Sequence, residues 1–137
     1  MKRSDQRRLA VFALYQNDLT GRDLDTLIAD DATDFTRALA EATLEEREKL
    51  DEQITSYAKG NWPIDRIAPL ERNILRVAIH ELLANGDVPP EVAVDEAVEL
   101  AKNYCSADAP KFVNGILGSI LRDIPAGASP EPGAASD

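Results

Sequence analysis

The stretch Val92–Leu121, VAVDEAVELAKNYCSADAPKFVNGILGSIL, reads as two helices joined by a short polar elbow. In its first half Val94, Ala97, Val98, Ala101 and Tyr104 recur at helical spacing, with Asp95, Glu96, Glu99, Lys102 and Asn103 opposite, so one face is expected to be buried. The acids come early and the lysine late, as the helix macrodipole favours. Cys105 to Ala109 interrupts the pattern. Pro110 suits the first turn of a second helix, where its missing N–H has no intrahelical partner. Phe112, Val113, Ile116, Leu117, Ile120 and Leu121 form the apolar stripe of that helix, and Lys111, Asn114, Gly115, Gly118 and Arg122 share its other face. A glycine inside a helix costs roughly 1 kcal/mol relative to alanine. Two on one face therefore predict a close approach to the backbone, by a neighbouring helix or by a phosphate.

Outward from this segment the chain continues as helices. Ser4 is a plausible cap for a helix that runs to about Leu19 and stops at Thr20-Gly21, with Leu9, Phe12, Ala13, Gln16 and Leu19 as its stripe. Arg3, Arg7 and Arg8 cluster in its first turns, where cations work against the macrodipole. They form either a phosphate-binding cluster or a solvated face. On both readings they are exposed, and removing Arg7 and Arg8 is expected to leave thermal stability nearly unchanged. A short helix follows around Leu24 to Ala29, then a longer one from Asp34 to Tyr57 with Phe35, Leu39, Leu50, Ile54 and Tyr57 inward. Thr43-Leu44-Glu45-Glu46 has capping-box spacing, so this helix is either continuous or broken there. Gly60-Asn61 ends it, and Trp62 is expected to fill the gap between two helical bundles. Pro69 opens a strong helix with Leu70, Ile74, Val77, Ala78 and Leu82 buried, Glu71, Arg72, Arg76, His80 and Glu81 mostly outward, and Asn85-Gly86 closing it. The reading is an all-α fold of six or seven helices in one domain over residues 1–124, with helical subdomains at about 1–60 and 61–124. PAGASPEPGAASD, residues 125–137, reads as a disordered tail.

Composition bounds the function. A chain of 137 residues with 44% hydrophobic content can bury a core without staples, and one cysteine excludes an internal disulfide. No apolar run is long enough to span a bilayer, and the first residues lack a cleavable leader pattern, so the expectation is a soluble cytoplasmic protein without membrane contact. A net charge of -10 opposes nucleic-acid binding, yet residues 23–52 carry eleven acids against three bases, whereas Met1–Arg8 holds four bases and one acid. A basic end can still bind RNA if the fold points the acidic stretch elsewhere, because charges beyond about 8–10 Å are largely screened at physiological salt.

VAVDEAVELAKNY followed by APKFVNGIL resembles the most recognisable segment of the NusB family of bacterial transcription antitermination factors, and ALYQ at Ala13–Gln16, the Trp62 segment and LERNILRVAIHEL at Leu70–Leu82 extend the resemblance to about Ile124. The resemblance implies two packed helical subdomains that bind boxA RNA of nascent rRNA transcripts together with NusE, also a small-subunit ribosomal protein, in the RNA polymerase antitermination complex. It places Lys2, Arg3, Arg7, Arg8, Tyr15, Lys111, Phe112 and Asn114 at the RNA surface, with Lys111 and Arg7 on phosphate and the KFVNG segment packed beside the first helix. It places Glu71 and Arg72 toward NusE. Two departures are visible: Gly118 stands where the family commonly has Asp, and Ser4-Asp5-Gln6 interrupts the basic cluster, which together predict weaker RNA affinity.

Catalysis finds little support. One His and one Cys supply neither a metal cluster nor a nucleophile beside a base, and no Gly-rich loop follows a strand, so no catalytic residue, metal or cofactor is expected. His80, where the family more often has Tyr, reads as a packing or hydrogen-bonding residue. The competing readings are a protein-binding helical module or homodimer without RNA binding, and a stand-alone relative of the RNA-targeting domain of rRNA cytosine methyltransferases.

Overall fold

Pro69–Leu83 forms a helix that its neighbours surround. In the computed structural model, which describes residues 1–60, 62–84 and 88–124, the helices are α1 (Arg3–Thr20), α2 (Leu24–Leu27), α3 (Asp34–Glu45), α4 (Arg47–Tyr57), α5 (Pro69–Leu83), α6 (Pro90–Tyr104) and α7 (Ala109–Asp123). A 3-10 turn at Ile64–Arg66 precedes α5, and the described residues contain no strand. Pro69 and Pro90 each open a helix, and Pro110 sits in the first turn of α7, where the proline ring costs nothing. The anticipated Asn85-Gly86 stop and the tail at residues 125–137 lie outside the described residues.

Helix α5 packs against α1, α3, α4, α6 and α7, and so belongs to both halves of the chain. Its burial exceeds one apolar stripe: Asn73, Arg76 and Glu81 are buried together with Ile74, Leu75, Val77, Ala78, Ile79 and Leu82. The expectation that Arg76 and Glu81 point outward is therefore corrected. Each fully buried Leu or Ile contributes on the order of 1.5–3 kcal/mol, and Leu75, Ile79 and Leu82 are among those with no exposed surface.

The inward face of α1 also differs from the anticipated stripe. Leu9, Gln16 and Leu19 are exposed, and the buried positions are Arg7, Ala10, Val11, Ala13 and Leu14. The true stripe begins at Arg7 and continues at helical spacing to the half-buried Asp18, so both of its ends are charged and a purely apolar pattern misplaces it. Lys2, not Ser4, precedes the helix, and no side chain caps it. At the other end Gly21 takes φ 74, the left-handed conformation that glycine adopts without steric penalty.

The long helix breaks. α3 starts under a cap in which Thr33 Oγ1 accepts from the Thr36 N–H at 3.2 Å, and it ends at Glu45, with Glu46 linking to α4. The capping-box spacing does not make the break: Thr43 is buried and donates its hydroxyl to the Leu39 carbonyl at 2.7 Å. Glu46 instead makes a 2.9 Å contact with His80 Nδ1, which ties the junction to α5.

Candidate nucleic-acid interface and adjoining groove

The basic cluster divides on folding. Arg7 is 3% exposed. Its Nε and Nη2 donate to the two oxygens of Glu81 at 2.7 and 3.0 Å, and its Nη1 donates to Glu96 Oε1 at 2.7 Å. A phosphate has no approach to this guanidinium, so the expectation that Arg7 contacts RNA is overturned. The reason lies in helix phase: Arg7 stands one turn before Ala10 and Val11, on the face that packs against α5. Lys2 and Arg3 remain exposed. Arg3 lies 4.0 Å over the Phe35 ring of α3, an arrangement that orders a cation while leaving its charge available. Arg8 is half exposed and paired only with Asp5, one turn earlier. Tyr15 is half-buried farther along α1.

At the other end of α1 a second polar cluster joins the helices. Arg72 forks onto Asp18 at 2.7 and 2.9 Å, Asn73 donates to the same carboxylate at 2.9 Å, and Arg76 reaches it at 3.0 Å. Arg76 also forks onto Asp51 of α4 at 2.6 and 2.9 Å. Burial disfavours the Asp18 anion, but the hydrogen bonds from Arg72 and Asn73 and the charges of Arg76 and Arg72 outweigh it and hold this carboxyl down at about 2. Arg72, partly exposed, is thus engaged by Asp18 and the Ile67 carbonyl. Neither cluster was visible as a site in the sequence. The usable signal was a charged residue at an inward helical phase on each of α1 and α5.

The other sequence-identified residues gather elsewhere. Lys111, Phe112 and Asn114 line an open groove of about 960 Å3 between α7, the end of α4 and the start of α5. Lys111 and Asn114 are exposed and Phe112 is half-buried. Glu71 lies in the same groove, with burial pushing its carboxyl up. α7 packs on α6, α5 and α4, while α1 packs on α3, α5 and α2. The KFVNG segment lines the groove beside the start of α5, and α1 meets the end of α6 through the edge-to-face rings of Phe12 and Tyr104, 5.1 Å apart. The clusters at Arg7–Glu81 and Asp18–Arg72 make α1 and α5 antiparallel, so Glu71 of the groove is ten residues from Glu81, about 15 Å along α5 at 1.5 Å per residue.

Trp62 stands at the groove, 46% exposed, and does not fill an inter-bundle gap. Gly115 and Gly118 line it too. A Cβ added at Gly115 would meet nothing within 4 Å, and one at Gly118 only the far end of Arg122 at 3.6 Å. Among the described residues no neighbouring helix makes the anticipated close approach; the glycines face open space. Opposite, the Tyr57 hydroxyl donates to Asp123 and joins the ends of α4 and α7. Cys105, beside Glu71, has its thiol pushed up by burial and by that negative charge.

A model of the NusB family matches residues 4–122. The chain belongs to the NusB family. Transcription antitermination protein NusB of Symbiobacterium thermophilum is 38% identical over 154 residues, covering all of both chains, and that of Rubrobacter xylanophilus is 42% identical over 123 residues, covering 85% of this chain and 88% of the relative. T. maritima NusB matches in structure with a TM-score of 0.81 at 32% identity, over 90% of this chain and 92% of that one. A chain from a crystal structure of the antitermination factors NusB and NusE in complex with dsRNA matches with a TM-score of 0.75 at 29% identity, over 89% and 98%. The all-α reading and the NusB resemblance are both borne out. Among the described residues no group of three or more His, Cys, Asp or Glu could hold a metal, and no helix is long and apolar enough to cross a membrane.

Proposed function

We propose that this chain is a transcription antitermination factor, a cytoplasmic, non-catalytic adaptor that binds boxA RNA of nascent rRNA transcripts together with NusE as part of the RNA polymerase antitermination complex. The observation that carries the reading is the match to a chain of the NusB–NusE–dsRNA structure over 98% of that chain, supported by a relative named transcription antitermination protein NusB that matches over its full length.

On this reading Lys2, Arg3 and Arg8 supply phosphate contacts at the start of α1, with Lys111 and Asn114 contributing from α7 and the half-buried Tyr15 and Phe112 offering ring edges to bases. Arg7 positions α1 and does not touch RNA. Glu71 faces NusE, while Arg72 supports that surface through Asp18. With three cations at the helix start and a net charge of -10, RNA affinity alone is low, and a second RNA-binding protein raises it by adding contacts to the same strand. The test is a salt titration of boxA RNA binding with and without NusE: a steep log-log slope and a tighter complex in the presence of NusE support the reading, and salt-independent or absent RNA binding in both overturns it.

A further inference from the structure

The first turn of α1 holds together against its own helix chemistry. Lys2 precedes the helix without a side-chain cap, and Lys2 and Arg3 place cations at the end where the macrodipole is positive. The N–H groups of a helix start have no intrahelical partner, so an uncapped turn of this kind frays. Three ties fasten this one to the start of α3. Thr36 Oγ1 donates to the Gln6 carbonyl at 2.9 Å, Thr33 Oγ1 donates to Gln6 Oε1 at 2.8 Å, and the Arg3 guanidinium lies 4.0 Å over the Phe35 ring. Gln6 Nε2 in turn donates to the Met1 carbonyl at 2.9 Å, which draws the residues before the helix back onto it. In the sequence Gln6 interrupts the basic cluster. In the fold it is the residue through which α3 holds that cluster.

The ties leave the charges free. Lys2 and Arg3 are exposed and form no ion pair among the described residues. An aromatic face attracts a cation without neutralising it, whereas Asp5 takes up part of the charge of Arg8. A long side chain that is ordered before it meets its ligand loses less entropy on binding. We propose that the start of α3, through Thr33, Phe35 and Thr36, positions Lys2 and Arg3 for phosphate, with Gln6 as the tie. Phe35 is then a positioning residue that acts on RNA only through Arg3. The proposal rests on the RNA-binding reading above, but the ordering it requires exists in the free protein and is measured there.

The full chain is tested in two ways. In the free protein, nitrogen relaxation at Arg3 Nε should report an ordered side chain; Phe35→Leu, which keeps apolar packing but has no ring face, should make it mobile, and Phe35→Tyr should keep it ordered. In boxA RNA binding, Phe35→Leu should weaken affinity about two- to fivefold, the equivalent of a cation–π contact at an exposed site. Phe35→Tyr should restore that affinity, and Phe35→Leu should cost nothing further in an Arg3→Ala background. Gln6→Ala, which spares the half-buried ring, serves where Phe35→Leu fails to fold: it too should raise Arg3 mobility and weaken RNA binding. An Arg3 side chain already mobile in the parent, a Phe35→Leu loss that persists undiminished without Arg3, or a Gln6→Ala chain that behaves as the parent overturns the positioning role and leaves the RNA reading standing. A parent chain that binds no boxA RNA overturns that reading, and the positioning role with it, even where Arg3 is ordered.

Discussion

Arg7 and Glu81, seventy-four residues apart, are joined by a two-pronged ion pair at 2.7 and 3.0 Å, both side chains nearly inaccessible to water. An arginine that reads in the sequence as part of a surface cluster is therefore a joint between α1 and α5. Removing one partner of a buried pair leaves an uncompensated charge and costs on the order of 3–5 kcal/mol.

Arg7→Ala is accordingly expected to lower thermal stability by about 10 °C or more, whereas Arg8→Ala, which gives up only the exposed pairing with Asp5, shifts it by about 2 °C or less. Thermal unfolding of the two single variants by circular dichroism separates the joint from the surface. Equal small shifts in both would contradict the burial of Arg7.

The Asp18 cluster predicts a pH dependence. Its carboxyl is held at about 2 in the folded chain against an ordinary value of 3.8, so the folded state binds its proton less readily than the unfolded state. This contribution is present above about pH 3.8 and is lost as pH falls toward 2; with partial solvent screening it is on the order of 1–2 kcal/mol. Denaturant unfolding at pH 6 and pH 2.5 should show Asp18→Asn losing much less stability on acidification than the parent. Parallel losses in the two proteins would remove Asp18 as an acid-sensitive joint.

Gly115 offers a cleaner substitution than its sequence context implies. Because a Cβ there meets open space, Gly115→Ala is expected to stabilise the chain by about 0.5–1 kcal/mol through helix propensity. Gly115→Leu should also keep its melting temperature, so any loss of partner binding in that variant reports contact in the groove. A melting temperature lowered by either substitution would mean that a neighbouring element approaches α7 more closely than the structure places it.

The parts of this architecture that were legible in the sequence are those written in apolar periodicity and in proline and glycine punctuation. Pro69 and Pro110 mark helix starts, Gly21 marks a stop, and the stripe Val113, Ile116, Leu117, Ile120 on α7 is buried as its spacing requires. What escaped was written in charge. Arg7, Asp18, Arg76 and Glu81 occupy inward phases, but a charged residue reads as solvated until its partner is known, and here the partners lie 25 to 89 residues away. Trp62 failed in the opposite sense: its size predicted burial, yet it stands at an open groove. Lys111, Phe112 and Asn114 were identified by resemblance, and their separation from the α1 cluster follows from the antiparallel pairing of α1 with α5, which no local pattern encodes.

The exposed cations carry the remaining prediction about RNA. Replacing Lys2, Arg3 and Arg8 together by alanine should leave folding nearly intact and reduce the log-log salt slope of RNA binding by about 0.7–0.9 for each phosphate that the protein no longer neutralises. Arg7→Lys, which keeps one charge inside the joint but removes the fork, should leave that slope unchanged where the protein remains folded. A slope that falls with Arg7→Lys and not with the triple variant would return Arg7 to the RNA surface.

Coupled binding of RNA and NusE stands at the centre of the proposed function, and calorimetric titration of NusE with and without boxA RNA measures it most directly. Linkage requires that whatever factor NusE adds to RNA affinity, RNA adds to NusE affinity. The expected result is NusE binding at least about fivefold tighter in the presence of the RNA, within the usual range of coupling free energies. Equal affinities in the two titrations would contradict the coupling and leave a helical module that binds protein alone.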